Sequence, residues 1–464
     1  MTHVIPLMQN AWFTVLLAAI SLLVPLPLLP IAYRRRRAVA VAAFLALSLF
    51  IAGTATAKDA EAQSHTLANG IRFVSVYFPG STNVAIFTFL PMGLAADGLH
   101  QAQWAHLVEH LVIRSTVPKD LSVANAETLP DHMRLDFYGN ISNWQEGLSH
   151  HERWLAGVPF SQAELDAEKP KVKSECDYTA KNFATHKFAL AAWAQGYRHA
   201  QTNAALLGDI DRAALNDIQT YRDSRLVVVS NVLVCLVGGI EPATALPIIS
   251  NRLGSIKSGA KPAAPVKLHP GNREMTWDLS ARHLLLTWPI ADIQSQDFPA
   301  LQLVAQSLNM RFFSDEQLKK TAGMVIAGAD LTTPEGTFFY ISASLRPEAS
   351  AREVQEKLQD YVQQLSSSSD LSLLPMLIQQ QTQSLTKLPD IAALKGQMPP
   401  GMSVANLEMN IGLQWGMNEF RYGPHKPALV RRFSELKEKN VRSAAKEYLT
   451  TSKCSVTKLQ LVSR

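Results

Sequence analysis

An α+β chain of two related domains, preceded by an apolar membrane or signal region, is what this sequence predicts. A weak repeat, a breaker-rich stretch between its copies and two charge-free runs near the amino terminus point to it. In the first copy, residues 213–221 form a short helical pattern ending in Tyr221 and lead into the strand-like 225–237. In the second, residues 440–448 end in Tyr448 and lead into the strand-like 454–462. The starts correspond as well. Strand-like 84–90 precedes a helical 101–115, and strand-like 283–288 precedes a helical 298–309. A repeat of about 200 residues is too long for a solenoid and describes two domains, each mixing strands with helices.

The elements follow in order. Residues 11–33 carry no charge over 23 positions, long enough to span a bilayer. Pro25, Pro27 and Pro30 would break the second half of any helix there. Arg34, Arg35, Arg36 and Arg37 come next, then a 16-residue apolar run, 38–53, and Ala55-Thr56-Ala57. Arginines, apolar run and A-x-A site are the parts of a secretory signal peptide. The positive-inside rule keeps the arginines in the cytoplasm. A cleaved signal and a retained two-helix anchor both satisfy the pattern, and both export everything after Ser64. The expected location is the periplasmic side of a bacterial inner membrane, anchored there, or the periplasm after cleavage. The expected divisions are a membrane or signal region at 1–57, a first domain at 64–254, a linker at 255–272 and a second domain at 273–464. The linker is rich in Lys, Pro, Ala and Gly. Segments 366–369 and 399–401 read as surface loops.

Composition narrows the function classes. The 464 residues are 47% hydrophobic and 18% charged, which excludes a disordered or collagen-like chain. With the four clustered arginines set aside, 40 basic residues face 39 acidic ones. There is no whole-domain basic field of the kind that draws nucleic acid. Three cysteines, Cys176, Cys235 and Cys454, are too few for a disulfide framework.

The strongest chemical signal is His106-Leu107-Val108-Glu109-His110, inside the helical 101–115. At 100° per residue, His106, Glu109 and His110 share an arc of about 100°. Trp104, Val108 and Leu111 fall opposite and would anchor the helix in a core. Histidines at i and i+4 can bind one zinc ion, and a glutamate between them can take a proton from water held there. The order is that of the inverted zincins, H-x-x-E-H. Zinc needs a third protein ligand and an open position. Downstream, Ser161 and Glu164 form a capping box that opens a helix carrying Glu168 and Glu175. These carboxylates share a face about 10.5 Å apart, so one can ligate and the other support, or both can belong to a solvated charged face with Lys169, Lys171 and Lys173.

With these residues in view, the chain resembles the pitrilysin family, which includes insulin-degrading enzyme and the mitochondrial processing peptidases. The resemblance covers about residues 64–464 in layout and two motifs in detail. One is the H-x-x-E-H helix behind Gly93-Leu94-Ala95-Ala96-Asp97-Gly98. The other is Glu168-Lys169-Pro170-Lys171-Val172-Lys173-Ser174-Glu175, similar to the family's E-x₆-E helix. It implies zinc as cofactor, His106, His110 and Glu175 as ligands, Glu109 as general base and Glu168 in support. It implies two homologous α+β domains, and a dimer with itself or with a related chain, since two domains make half of the family's chamber. The family's substrate-holding G-G-x-x-N-A strand is echoed in Gly139-Asn140-Ile141-Ser142-Asn143-Trp144. That makes Asn143 and Asn140 candidate substrate-binding residues, with an extended peptide added as a strand beside 139–145.

Several positions depart from the family pattern. Glu175 follows His110 by 65 residues, a shorter interval than the family's, with the shortening expected near 149–154. Pro170 would kink the E-x₆-E helix and could swing Glu168 toward the metal. Trp144 replaces a small residue and would crowd a substrate. The family's G-L-x-Y becomes Gly323-Met324-Val325-Ile326, so its tyrosine is absent. His150-His151-Glu152 offers a weak alternative metal site, while His132, His186 and His199 read as surface or structural. Cys176 would face away from Glu175 as a buried thiol. The expected function is a zinc endopeptidase acting on extended peptides or unfolded segments outside the cytoplasm. The alternative is a non-catalytic pitrilysin-like subunit that binds peptides or scaffolds a partner peptidase.

Overall fold

The structure is a computed structural model that describes residues 60–98, 100–116, 124–182, 203–225, 232–257, 271–333, 336–367, 371–391, 394 and 403–461. The two amino-terminal apolar runs, the arginine cluster, Ala55-Thr56-Ala57, most of the linker, segment 399–401, His186 and His199 lie outside the described residues.

Runs of Val, Ile, Leu and Phe build the first sheet. Its early strands are β1 (Glu61–Thr66), β2 (Arg72–Tyr77) and β3 (Asn83–Leu90). A 3₁₀ turn at Leu94–Ala96 leads to α1 (Trp104–Thr116), then β4 (Ala124–Thr128), β5 (Met133–Asn140), α2 (Trp144–Ala156) and α3 (Gln162–Asn182). Helices α4 (Asn203–Arg212) and α5 (Leu215–Arg225) precede β6 (Leu233–Gly238) and α6 (Pro242–Leu253). The sheet order is β1-β2-β6-β3-β5-β4, with β2 and β6 parallel and the other pairs antiparallel.

The second sheet begins with β7 (Arg273–Trp277) and β8 (His283–Ile290). Then come α7 (Phe298–Ser314), α8 (Glu316–Thr321), β9 (Ala322–Thr333), β10 (Gly336–Leu345), α9 (Ala351–Ser367) and α10 (Leu374–Thr386). The chain closes with α11 (Val404–Tyr422), α12 (Lys426–Ser434), α13 (Glu438–Tyr448) and β11 (Ser455–Leu461). The order is β7-β11-β8-β10-β9, with β7 and β11 parallel. Leaving out β1, each sheet follows one path: its first strand, then the last, second, fourth and third.

Alternation decides what each face meets. On one side of the first sheet Phe73, Ile86, Leu135, Phe137 and Leu236 pack with Leu107 and Leu111 of α1 and with Leu148 and Trp154 of α2. On the other side Val74, Val76, Phe87, Phe89, Cys235 and Val237 pack with Leu407, Ile411 and Trp415 of α11. Burial on both faces explains the near-continuous apolar runs in β3 and β6. Helix α11 thus begins in the second half of the chain and covers the sheet of the first. Its seat is close, since a Cβ at Gly412 would stand 2.2 Å from a Val237 methyl. Arg72 fixes its far end by donating to the carbonyls of Glu419 and Phe420. The second sheet presents Leu284, Leu286, Phe339 and Ile341 to Leu301, Val304 and Leu308 of α7 and Leu358 of α9.

The edge strand β9 is capped at one residue by a side chain. Asn309 of α7 donates to the Ala327 carbonyl at 2.9 Å and accepts from its N–H at 2.7 Å. Two expectations change here. Residues 366 and 367 continue α9 rather than forming a loop. The 149–154 stretch holds no compressed strand; it lies inside the complete helix α2. Among the described residues no helix is long and apolar enough to cross a membrane.

Candidate metal centre

Helix α1 starts three residues later than the apolar pattern predicts, and its start is built from outside. The turn before it is pinned to the β4–β5 hairpin, where Leu94 and Ala95 donate to the carbonyls of Leu129 and Pro130. Only glycine fits at position 93, because a Cβ would lie 2.4 Å from the His132 nitrogen. Asp97 then reaches into the helix start, accepting from the Ala105 N–H at 3.0 Å and from the Tyr221 hydroxyl at 2.6 Å. Burial pushes the Asp97 carboxyl up to about 7, against the pull of those hydrogen bonds. Trp104, Leu107, Val108 and Leu111 bury the opposite face as expected.

The exposed arc of α1 meets α3. His106, His110 and Glu175 each offer one donor atom, and the three atoms lie within 4.8 Å of one another. Glu175 Oε2 stands 3.4 Å from His110 Nε2 and 3.8 Å from His106 Nε2. Two ligands at zinc-like bond lengths around a tetrahedral centre are about 3.4 Å apart, a spacing that the Glu175–His110 pair already has and the rest of the set would reach by drawing inward. The opposite ring nitrogens are held. His110 Nδ1 donates to Glu168 at 3.1 Å, and His106 Nδ1 donates to Gln103 Oε1 at 3.0 Å. Both acceptors fix the tautomer that turns Nε2 to the cluster. Two neutral imidazoles and one carboxylate make a donor set that suits zinc.

The electrostatics follow from this packing. Burial works against a charged His110, but Glu175, Glu109 and Glu168 outweigh it and raise its pKa. The hydrogen bond from His110 brings Glu175 down to about 2. Burial opposes the charge on Glu168, yet hydrogen bonds from Lys171 and His110 hold it below its ordinary value. Glu109 is nearly buried and accepts from the Thr128 hydroxyl at 2.6 Å. That bond ties the glutamate to the last residue of β4. The capping box forms as predicted, with Glu164 Oε2 accepting from Ser161 N and Oγ. Helix α3 continues through Pro170, so Glu168 stays on the far side of His110 and the kink does not re-aim it. Pro170 stands on the exposed side, where water can meet the carbonyl that loses its helical donor.

Strand β5 is paired to β3 along its length and to β4 over residues 133–137, so the 139–145 segment begins where the β4 pairing has ended. The edge strand on this side of the sheet is β4, with β1 at the opposite edge. Asn140 and Asn143 bond within a turn: Asn143 Oδ1 accepts from Asn140 N, and Asn140 Oδ1 from Ser142 N. Trp144 is buried at the start of α2 and crowds nothing outside the core. The Asn-Ala pair of the resemblance occurs literally at Asn125-Ala126, within β4. That dipeptide, 19 residues after His106, was the available signal. Thr128 carried none, because its role depends on a helix brought beside it by the sheet.

The other candidates separate. His151 turns inward to Thr88 at 2.7 Å, and Glu152 pairs with Arg252. His132 is a buried structural histidine bonded to Asp131 at 2.7 Å. Cys176 packs against His106 from the side opposite the cluster, its Sγ 3.7 Å from Nδ1. The Gly323-Met324-Val325-Ile326 segment starts β9.

Residues 213–372 match the family model described as "Peptidase M16 inactive domain". No curated protein matches the chain in sequence. A protease from Helicobacter pylori shares the fold with TM-score 0.67 at 17% identity, over 86% of this chain and 100% of that one. A peptidase M16 inactive domain from Pseudomonas fluorescens shares it with TM-score 0.60 at 16% identity, over 87% and 98%. The first half of the periplasmic protease PqqL from Escherichia coli shares it with TM-score 0.57 at 14% identity, over 88% and 93%. Residues 213–372 thus match a model of the M16 peptidase family in sequence, and most of the chain shares the fold of these protease structures.

Proposed function

We propose that this chain is a zinc-dependent endopeptidase acting on extended peptides or unfolded segments. The convergence of His106, His110 and Glu175 beside the buried Glu109 carries the reading. Zinc, when bound, supplies Lewis acidity toward water and a peptide carbonyl. His106 and His110 would hold it through Nε2 and Glu175 through a carboxylate oxygen. Glu109 takes the proton from the attacking water and delivers it to the leaving amine. The Thr128 hydroxyl orients Glu109 and links it to the edge where substrate would lie. Asn125 and Ala126 on that edge take the substrate-holding role, with peptide backbone pairing to β4 as an added strand. Of the sheet edges, β4 is the one tied to Glu109, through Thr128, and this supports addition there.

One observation favours the non-catalytic reading: the matched model is that of an inactive domain. The matched stretch begins at Ala213, beyond Glu175, so that description falls on the part of the chain without the cluster. We further read the two sheet units as homologous domains, because their strand paths coincide. The body lies outside the cytoplasm, in keeping with the amino-terminal pattern and with PqqL being periplasmic. A second copy or a related chain completes the chamber.

Dialysis of two variants tests the ligand set. Glu175→Gln removes a direct ligand and should lose zinc. Glu168→Ala removes the acceptor behind His110 and should weaken binding about 10–100-fold while keeping most of the metal at saturation. The reverse order would place the ligand at Glu168 and undo the assignment.

A further inference from the structure

We propose that Gln103 is a positioning residue for His106, kept in a left-handed backbone conformation for the sake of its amide. This rests on the zinc reading above. His110 has its Nδ1 proton held by Glu168, an acceptor on another helix. His106 needs the same restraint, and its acceptor is Gln103 Oε1 at 3.0 Å.

Gln103 stands just before α1, and its carbonyl accepts the first helical bond, from the Leu107 N–H at 2.9 Å. That makes it the helix cap. Glutamine is a poor cap, since short side chains that return to the backbone are preferred there. Its φ is 66°, a region that residues other than glycine and asparagine avoid. Its side-chain oxygen bonds the His106 ring. In an ordinary cap the side chain accepts from the backbone N–H three residues on. Here the longer side chain reaches instead the imidazole three residues on. The capping task passes to Asp97, which accepts from the backbone of Gln103 and Ala105 and is held by Tyr221. Glycine would adopt this backbone without strain. What glycine lacks is the acceptor for His106. Cys176 Sγ also approaches Nδ1, but at 3.7 Å and as a weak acceptor.

The test uses the full chain with Q103G, Q103E and C176A, reading the melting temperature of the metal-free protein and zinc affinity by competition with a chelating dye. Q103G relieves the strained φ, so it should melt at the same or a higher temperature. The same variant should bind zinc about 10–100-fold more weakly, while Q103E, which keeps an oxygen acceptor, and C176A should stay within about threefold of the parent. Stability and metal affinity moving apart is the signature that a structural cap would not produce. Unchanged zinc affinity in Q103G overturns the proposal. So does a loss in Q103G that tracks a fall in melting temperature and is not rescued by Q103E, or an equal loss in C176A. A parent that takes up no zinc overturns the metal reading itself, which separates the two failures.

Discussion

Asp97 shows how much chemistry one buried acid can hold at the start of the metal helix. Its carboxyl is raised to about 7 by burial, against an ordinary 3.8. A group whose folded pKa lies above its unfolded one stabilises the fold fully below the unfolded value, and loses that contribution as pH rises through the folded value. The metal-free protein should therefore lose melting temperature between about pH 4 and pH 7. Asp97→Asn keeps a carbonyl acceptor for Tyr221 and Ala105 but cannot titrate, so it should flatten that slope; an unchanged slope would reject the assignment. At this scale, what sequence made legible was local. His106, Glu109 and His110 share one helical arc, and Glu168 and Glu175 sit two turns apart, so periodicity alone aligned them. Trp144 was misread because its partners lie in a core that periodicity does not describe, and the turn bonds of Asn140 and Asn143 were equally hidden from it.

Strand edges carry the argument at the scale of elements. Asn309 satisfies both backbone groups of Ala327, and both residues are buried. Asn309→Ala should leave a buried donor and acceptor unsatisfied, costing about 1–3 kcal/mol for each. A thermal melt should show a clear loss of stability and a rise in aggregation through the opened edge. No change in either would mean that β9 is closed by something else. The helices and most strands were readable from their periods. The position of β4 at the edge was not, because sheet order depends on pairings between distant segments. Helix α3 illustrates a milder failure: Pro170 reads as a kink, but its exposed place lets the helix run on.

The whole molecule is joined more tightly than a two-domain reading suggests. The repeat was visible in paired helix–strand endings, and the matching strand paths account for it. What sequence did not disclose is that α11 leaves the second half to cover the first sheet, although Gly412 and Gly416, one turn apart, mark a close helix seat. A fragment of residues 60–257 would bare Val74, Val76, Phe87 and Phe89. It should be insoluble or bind hydrophobic dye, whereas a soluble, cooperatively melting fragment would contradict the shared core. Two ion pairs also cross between the halves, from Arg421 to Asp131 and from Lys181 on the Glu175 helix to Asp278, while Arg421 pairs with Asp330 within its own half. The metal cluster is thereby set in a frame to which both halves contribute. The central claim is that this frame cleaves peptide bonds with Glu109 as base. Cleavage of an unstructured, fluorescence-quenched peptide by the zinc-loaded full chain, compared with Glu109→Gln at equal zinc content, tests it most directly. The account predicts chelator-sensitive cleavage in the parent and its loss in the variant. Equal cleavage by both proteins, or none from a zinc-loaded parent, would contradict it.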